Sequence, residues 1–398
     1  MNAAGHQIPV LHFSNEVVRG GAEEHILTLL RGLDRKYFRL HLVCTPLMAD
    51  SLRPDLPEDV EVIPLCLRKP RQLGAALRLA SILCSRGIAI LHSHLFYASL
   101  FASPIGWLCR VPLIIETPHI REHWRRGWLK SRYTVDRLIG RFVDRYIAVS
   151  EANARYLTEE KGFPARKIVV VHNGCDLTRF QPGHRPPAGL KRNLGFADHD
   201  PVLVAVGRLE PQKGHCVLLH ALTAVRAEFP AVRLVCVGDG DLKAELEQQA
   251  HALGLDDAVR FVGYKSNVPD WLALADVAVL SSFYEGLPLA AVEALGAGKP
   301  MVATAVDGTP EIVLDGKTGL TVSAGDPAGL AEAIRRLLRD AGLRARLGCI
   351  GREWVLECFT QECQVRRTQE FYLACWEQAL EKARVHVPDT PLPMHRLR

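Results

Sequence analysis

A chain of 398 residues, 48% hydrophobic and 23% charged, is ordinary globular material and too long for one typical core, so two domains are expected. Its formal charge of +5 is spread along the chain and, without an RRM-like or zinc-finger pattern, does not argue for a nucleic-acid binder. The 11 cysteines fall singly from Cys44 to Cys375, with no CxxC pair or small-domain disulfide spacing, which points to reduced core thiols and a cytoplasmic setting.

Residues 1–10 lack a basic region followed by an apolar one, so no secretory signal is expected. Short apolar, β-branched runs then alternate with longer segments of helical period, the pattern of parallel sheets covered by helices. Strands are predicted at Val10–Ser14, Leu40–Thr45, Val60–Leu65, Ile88–His92, Pro112–Thr117, Arg145–Ser150 and Lys167–His172. Between the first two, Ala22–Leu33 carries Ile26, Leu27, Leu29, Leu30 and Leu33 as a core-facing stripe. The uncharged stretch Ile88–Cys109 is interrupted by His92, Ser93, His94, Ser99 and Ser103, so strand, loop and helix account for it better than a membrane span.

After Asn173 and Gly174 a run rich in proline, glycine and polar residues reads as a linker at 179–200, leaving 1–178 as a first Rossmann-like domain. A second series follows at 201–360, with strands at Val202–Val206, Arg233–Val237, Val259–Val262, Val277–Leu280, Met301–Ala303 and Gly319–Val322. A last helix at 361–385 has Phe371, Tyr372, Leu373 and Trp376 on an apolar side, and the proline-rich tail 386–398 is expected to be disordered. The fold class is therefore α/β, two doubly wound units whose sheets bind ligands at their C-terminal edges, in the cleft between them.

The segment from Ser281 to Pro300 reads as strand end, loop, helix and stop, with Pro288 in the first helical turn and Gly298 and Pro300 closing it. Glu285 falls in the loop and Glu293 about a turn and a half into the helix, so both can reach one polyhydroxy ligand; two solvated glutamates near a helix start are the alternative. Backbone N–H groups of Gly286, Leu287 and Leu289 at the positive helix end suit sugar hydroxyls or phosphate oxygens. Arg208 and Lys213 follow the first strand of the second domain, where two cations would neutralise a diphosphate leaving group. In the first domain Gly20 and Gly21 stand between strand and helix, letting backbone approach a ligand. Neither a P-loop nor a dinucleotide fingerprint is present: Gly316-Lys317-Thr318 has Glu311 at the place of the first Walker glycine, and Gly238-Asp239-Gly240 is not continued.

Together these residues resemble the retaining nucleotide-sugar glycosyltransferases of family 4, with their two-Rossmann GT-B architecture. The matching motifs are Gly20-Gly21, Glu116-Thr117-Pro118-His119, Val171-His172-Asn173-Gly174, Gly207-Arg208 with Lys213-Gly214, Glu285 with Glu293, and Pro310-Glu311-Ile312-Val313, in the family's order across most of the chain. The resemblance implies that Glu293 holds the ribose hydroxyls, Arg208 and Lys213 the diphosphate, and Glu285 with the amides of Gly286, Leu287 and Pro288's helix the transferred sugar. It also implies that Gly20 and Gly21 approach the phosphates, that His119 lies beside the donor sugar, and that the last helix returns to the first domain. The choice of base and hexose is expected to depend on the pocket near Gly263, Tyr264 and Glu285.

No catalytic metal is expected. His92 and His94 lack a cysteine or acidic partner at ligand spacing and read as a strand-end turn bordering the cleft. Asp198-His199-Asp200 lies in the linker, and Asp241 of Asp239-Gly240-Asp241 reads as an N-cap. From Arg121 to Arg145, eight Arg or Lys are interleaved with Trp124, Trp128 and Tyr133. Arg121, Arg125, Arg126 and Lys130 are candidates for an anionic membrane surface or a lipid-linked acceptor; a solvated helix face is the alternative. The expected partners are thus a nucleotide sugar and a glycan or lipid-linked acceptor. A 2-epimerase of the same fold and a catalytically silent nucleotide-sugar-binding subunit remain open.

Overall fold

The computed structural model describes residues 7–17, 19–119, 121 and 133–385. Among these, two all-parallel sheets follow one another along the chain. The first contains β1 (Ile8–Phe13), β2 (Phe38–Cys44), β3 (Glu61–Pro64), β4 (Ile90–His94), β5 (Leu113–Thr117), β6 (Arg145–Ala148) and β7 (Ile168–Val170), in the order β3-β2-β1-β4-β5-β6-β7. The second contains β8 (Val202–Val206), β9 (Arg233–Val237), β10 (Val259–Phe261), β11 (Val277–Leu280), β12 (Met301–Thr304) and β13 (Leu320–Val322), in the order β10-β9-β8-β11-β12-β13.

Helices cover both faces of each sheet, so the strands read as continuous apolar runs rather than alternating ones. In β1, Ile8, Val10, Leu11 and Phe13 are all fully buried, and they divide between two cores. Ile8 and Val10 pack with Ile26 and Leu29 of α1 (Gly21–Gly32), while Leu11 and Phe13 pack with Leu79 and Leu83 on the other side. The chain's last described helix, α5 (Gln361–Val385), inserts Tyr372, Cys375 and Trp376 into the same core as Ile8 and Val10, so it rests on the first domain. Where the chain crosses over, the Gly174 backbone lies against the Thr360 carbonyl, too close for any side chain.

One strand end differs from expectation in a way that matters. β4 runs on to His94 because β5 extends to Thr117 and the register pairs His94 with Thr117. His92 and His94 are therefore inside the sheet rather than in a turn, and both are buried. The helix after β9 starts at Lys243 with Leu242 at its N-cap, so Asp241 is not the cap.

The two domains touch through specific polar contacts. Ser150 Oγ donates to the Gly286 carbonyl at 3.1 Å. Glu311 of the second domain accepts the N–H groups of Glu151 and Ala152 at 2.9 and 3.0 Å, at the start of α2 (Glu151–Arg155), and bonds His172 Nε2 at 2.9 Å. Burial would raise the Glu311 carboxyl, but the His172 and backbone hydrogen bonds hold it below its usual range.

Candidate functional site

In each sheet the strand order reverses once, between β1 and β4 and between β8 and β11. Loops leaving such neighbours diverge and open a crevice at the C-terminal edge. Both crevices open into one cavity of about 670 Å³, whose wall includes Gly20 and Gly21 after β1, Gly207 after β8, and Glu285 and Gly286 after β11.

The second domain's wall is built around an ion pair. Lys213 Nζ donates to Glu285 Oε1 at 2.6 Å, and Ser282 Oγ donates to the same oxygen at 2.6 Å. The Glu285 N–H is held by Asp307 Oδ2 at 2.8 Å, and Asp307 itself sits at φ 41°, a left-handed conformation uncommon outside glycine. The two loops form one block: Gln212 Nε2 donates to the Tyr284 carbonyl at 2.9 Å, and Ser281 Oγ donates to the Lys213 carbonyl at 2.9 Å. Gly214, at φ 60° and at the N-cap of α3 (His215–Arg226), lies so close to the Ser281 carbonyl that a Cβ would overlap it. Beyond the block begins α4 (Leu289–Gly296), with Pro288 at its N-cap. Leu289 and Ala290 line the cavity, and their N–H groups, in the first turn, have no intrahelical acceptor. The positive end of the helix thus faces the cavity.

The first domain's wall is backbone at Gly20 and Gly21, where a Cβ on Gly21 would meet nothing within 4 Å and so would project into open space. Glu23 Oε2 accepts the Gly20 N–H at 3.0 Å, and burial pushes this carboxyl up to about 7. His119 also lines the cavity.

Behind His119 lies a cluster that the sequence reading missed. The strand period puts His92 and His94 on one face of β4, and the register sets His12 of β1 beside His92. His25 from α1 and His119 complete five buried imidazoles. His94 bonds His12 at 3.0 Å and His119 at 3.1 Å; His92 bonds Tyr372 OH at 2.5 Å and Thr117 Oγ1 at 2.6 Å; His25 Nδ1 bonds Asn173 Oδ1 at 2.7 Å. Burial lowers His12 to about 3 and His25 to about 4, and takes His92, His94 and His119 well below the usual value. All five are therefore neutral at physiological pH.

The other predicted residues divide between the cavity wall and positions outside it. Arg208 reaches the wall but is exposed and paired with Glu210 at 2.5 Å. Leu287 and Pro288 line the cavity, whereas Glu293, Gly263 and Tyr264 do not. The wall stops at Ala290, a helical turn short of Glu293, and Tyr264 is 77% exposed. Burial raises Glu293 to about 7, with Arg179 acting against the shift and Glu24 with it. Asp200 is engaged by Arg233 at 2.8 Å. Arg121 pairs with Glu160 and lies over the Tyr156 ring; Arg125, Arg126 and Lys130 lie outside the described residues, as does the tail 386–398. Tyr133 is buried rather than displayed. No helix among the described residues is long and apolar enough to cross a membrane.

Residues 189–354 match the family model described as Glycosyl transferases group 1, and residues 19–179 the one described as Glycosyltransferase Family 4. A D-inositol 3-phosphate glycosyltransferase of Geodermatophilus obscurus is 33% identical over 331 residues, 76% of this chain and 70% of the relative. A glycogen synthase of Mycobacterium tuberculosis is 31% identical over 317 residues, 77% and 73% of the two chains. Among solved structures, Anabaena Alr3699/HepE in complex with UDP and glucose superposes with a TM-score of 0.81 at 22% identity, over 92% of this chain and 100% of that one. That likeness fixes the fold as GT-B.

Proposed function

The chain belongs to the group 1 glycosyltransferases of family 4, and from that premise we propose that it moves a hexose from a UDP or GDP sugar to a hydroxyl of a glycan or glycolipid acceptor, retaining the anomeric configuration. The observation that carries the reading is the cavity wall itself. Lys213 and the positive end of α4 stand across from the bare backbone of Gly20 and Gly21, a setting for a diphosphate flanked by both domains. The complexes of the Anabaena protein with UDP and with UDP-glucose support a UDP-type donor.

The bond from the anomeric carbon to the diphosphate oxygen breaks, and the acceptor oxygen bonds to the same face of the sugar. The acceptor's proton passes to the departing phosphate oxygen, so no side-chain nucleophile is required. Lys213 and the α4 amides stabilise the charge that builds on the diphosphate. Both bonds to Glu285 land on Oε1, leaving Oε2 for a sugar hydroxyl, with His119 on the opposite wall. Arg208 reaches the distal phosphate once it leaves Glu210. Glu293 meets the ribose of a nucleotide that extends past the cavity along α4, and Gly263 and Tyr264 border the base. The reading is metal-independent, because Lys213 and the helix end supply the positive charge that a divalent ion supplies elsewhere.

The acceptor side is assigned to cell-surface polysaccharide synthesis at the cytoplasmic membrane face, through the basic segment containing Arg121, Arg125, Arg126 and Lys130. Co-sedimentation with anionic liposomes tests this part, and binding unchanged by charge reversal at Arg125, Arg126 and Lys130 removes it. The reaction is tested with a panel of nucleotide sugars read by mass spectrometry. Release of a nucleoside diphosphate from one donor is expected; conversion of the donor to an epimer, or no turnover of any donor, overturns the assignment.

A further inference from the structure

The uncharged stretch Ile88–Cys109 contains β4 and the helix Phe96–Leu108, and the helix Leu73–Ser85 lies beside that one on the same side of the sheet. Leu79, Ile82 and Leu83 of one helix share a core with Ala98 and Ala102 of the other, and Cys109 Sγ reaches the Ala80 carbonyl at 3.8 Å across the seam. Helical period then fixes what the pair turns outward. Leu73 and Leu77, one turn apart at the start of the first helix, are 70% and 72% exposed, and Trp107 and Leu108, at the end of the second, are 58% and 71% exposed. Leu100 and Pro104, both half-buried, precede Leu108 at four-residue steps. Thirteen-residue helices are about 20 Å long, so large apolar side chains mark both ends of one outer layer. Single exposed leucines need no explanation, but such a grouping marks an interaction surface.

The charges around it have one sign. Between Glu61 and Glu116 the sequence has six Arg or Lys and no Asp or Glu. Arg86 pairs with Glu61. Arg68, Lys69, Arg71, Arg78 and Arg110 are exposed, with no carboxylate partner among the described residues. Arg68, Lys69 and Arg71 lead into Leu73, Arg78 adjoins Leu77, and Arg110 follows Leu108, so cations border the apolar side chains at both ends. The layer also borders the cavity: Asn15 Nδ2 donates to the Leu67 carbonyl at 2.6 Å and the Tyr97 carbonyl at 3.3 Å, fastening the loop that carries Arg68 to the first turn of the second helix, where Tyr97 lines the cavity wall.

We propose that the outer side of these two helices is a docking surface for an anionic lipid bilayer, with Leu73, Leu77, Trp107 and Leu108 entering the headgroup layer and the five cations against lipid phosphates. This deepens the membrane location assigned above, on which it rests, by adding a surface built from different residues. Apolar side chains rimmed by cations suit a bilayer interface, where a tryptophan ring is also at home. A second copy of the chain suits the surface less, because a two-fold contact would set the same five cations against one another with no acid between them. With this layer on the membrane, a lipid-borne hydroxyl has a short path to the cavity.

Full-length protein is sedimented with vesicles of phosphatidylcholine alone and of phosphatidylcholine with phosphatidylglycerol, at low and at physiological salt. Binding is expected only to the anionic vesicles, weakening as salt rises. Leu73→Ser/Leu77→Ser and Arg68→Glu/Arg71→Glu should each lower the partition coefficient by roughly tenfold or more, with melting temperatures near the wild-type value because these side chains are exposed. Brominated lipids should quench the Trp107 fluorescence, isolated by difference from Trp107→Phe. Binding that neither double variant weakens, or Trp107 left unquenched on bound protein, overturns the proposal; if charge reversal at Arg125, Arg126 and Lys130 alone abolishes such binding, the membrane location stands through that segment instead. A wild type that binds no vesicle overturns both. A dimer in sedimentation velocity that Leu73→Ser/Leu77→Ser disperses assigns the surface to a second copy and overturns the lipid reading. No donor sugar enters this experiment, so failure of the transfer reading shows separately, in the donor panel.

Discussion

Lys213 Nζ and Glu285 Oε1 lie 2.6 Å apart on loops that leave two different strands of one sheet, with side chains only 15% and 6% exposed. Taking both charges out of water is costly, and the cost is offset only where further hydrogen bonds complete the pair. Ser282 supplies one to the Glu285 carboxylate, and Asp307 fixes the Glu285 backbone. The pair is therefore a preformed charged wall, in place before any ligand arrives.

Removing one partner strands the other. Lys213→Ala is expected to cost about 2–3 kcal/mol of stability in urea denaturation, and the Lys213→Ala/Glu285→Ala double variant less than the sum of the two single ones. Turnover in Lys213→Ala should fall by roughly 10²–10³-fold from loss of leaving-group stabilisation. Near-normal donor hydrolysis and transfer in that variant would refute its assignment.

Two carboxyls, one buried and one partly exposed, set a pH dependence of stability. Glu23 and Glu293 rise from an ordinary 4.5 to about 7 through burial. Between those values the folded protein binds more protons than the unfolded chain, so stability declines as pH rises through this window and stays lower above it. Glu293→Gln should stabilise the ligand-free protein at pH 8 by up to about 2 kcal/mol, given partial exposure, and make no difference below both pKa values. Thermal melts across pH check this; an equal offset at every pH contradicts it.

The domain contact rests on Glu311, which accepts two backbone N–H groups and bonds His172 across the interface. Glu311→Ala leaves the first turn of α2 without its carboxylate acceptor and should cost about 1–3 kcal/mol. Small-angle scattering should show a larger radius of gyration, as the two domains separate more readily. An unchanged radius together with an unchanged melting temperature would mean that Ser150–Gly286 and the apolar contacts hold the closed arrangement alone.

Tyr372 reaches His92 from α5, across 280 residues of sequence, at 2.5 Å. Tyr372→Phe keeps the ring in the core and leaves His92 Nδ1 unpaired, at a cost of about 1–2 kcal/mol. Chemical denaturation measures it, and no change would indicate that this hydrogen bond contributes nothing net.

The strands were legible because helices on both faces make each a short unbroken apolar run; Val202–Val206, Arg233–Val237 and Val277–Leu280 coincide with β8, β9 and β11. The cleft loops were legible through local grammar, such as Pro288 ahead of a helix and Gly298 after it. The histidine cluster was not, for two reasons. His12 and His25 sit inside apolar runs that already account for themselves as strand and helix, and their partners are far away in sequence, Asn173 being 148 residues from His25. The spacing of His92 and His94 held the one local clue, since residues two apart share a face of a strand; ending β4 at His92 concealed it. Glu293 was placed correctly within a helix, yet helical spacing does not say where a cavity stops, and this one stops at Ala290.

Most direct for the central claim is nucleoside diphosphate release, measured on the purified full chain with each donor in turn and an acceptor mixture, for the wild type and for Lys213→Ala. The account predicts that one UDP or GDP sugar is consumed by the wild type, that the glycoside formed keeps the donor's anomeric configuration, and that Lys213→Ala loses this activity while staying folded. Inverted product, or equal rates in the two proteins, would contradict it.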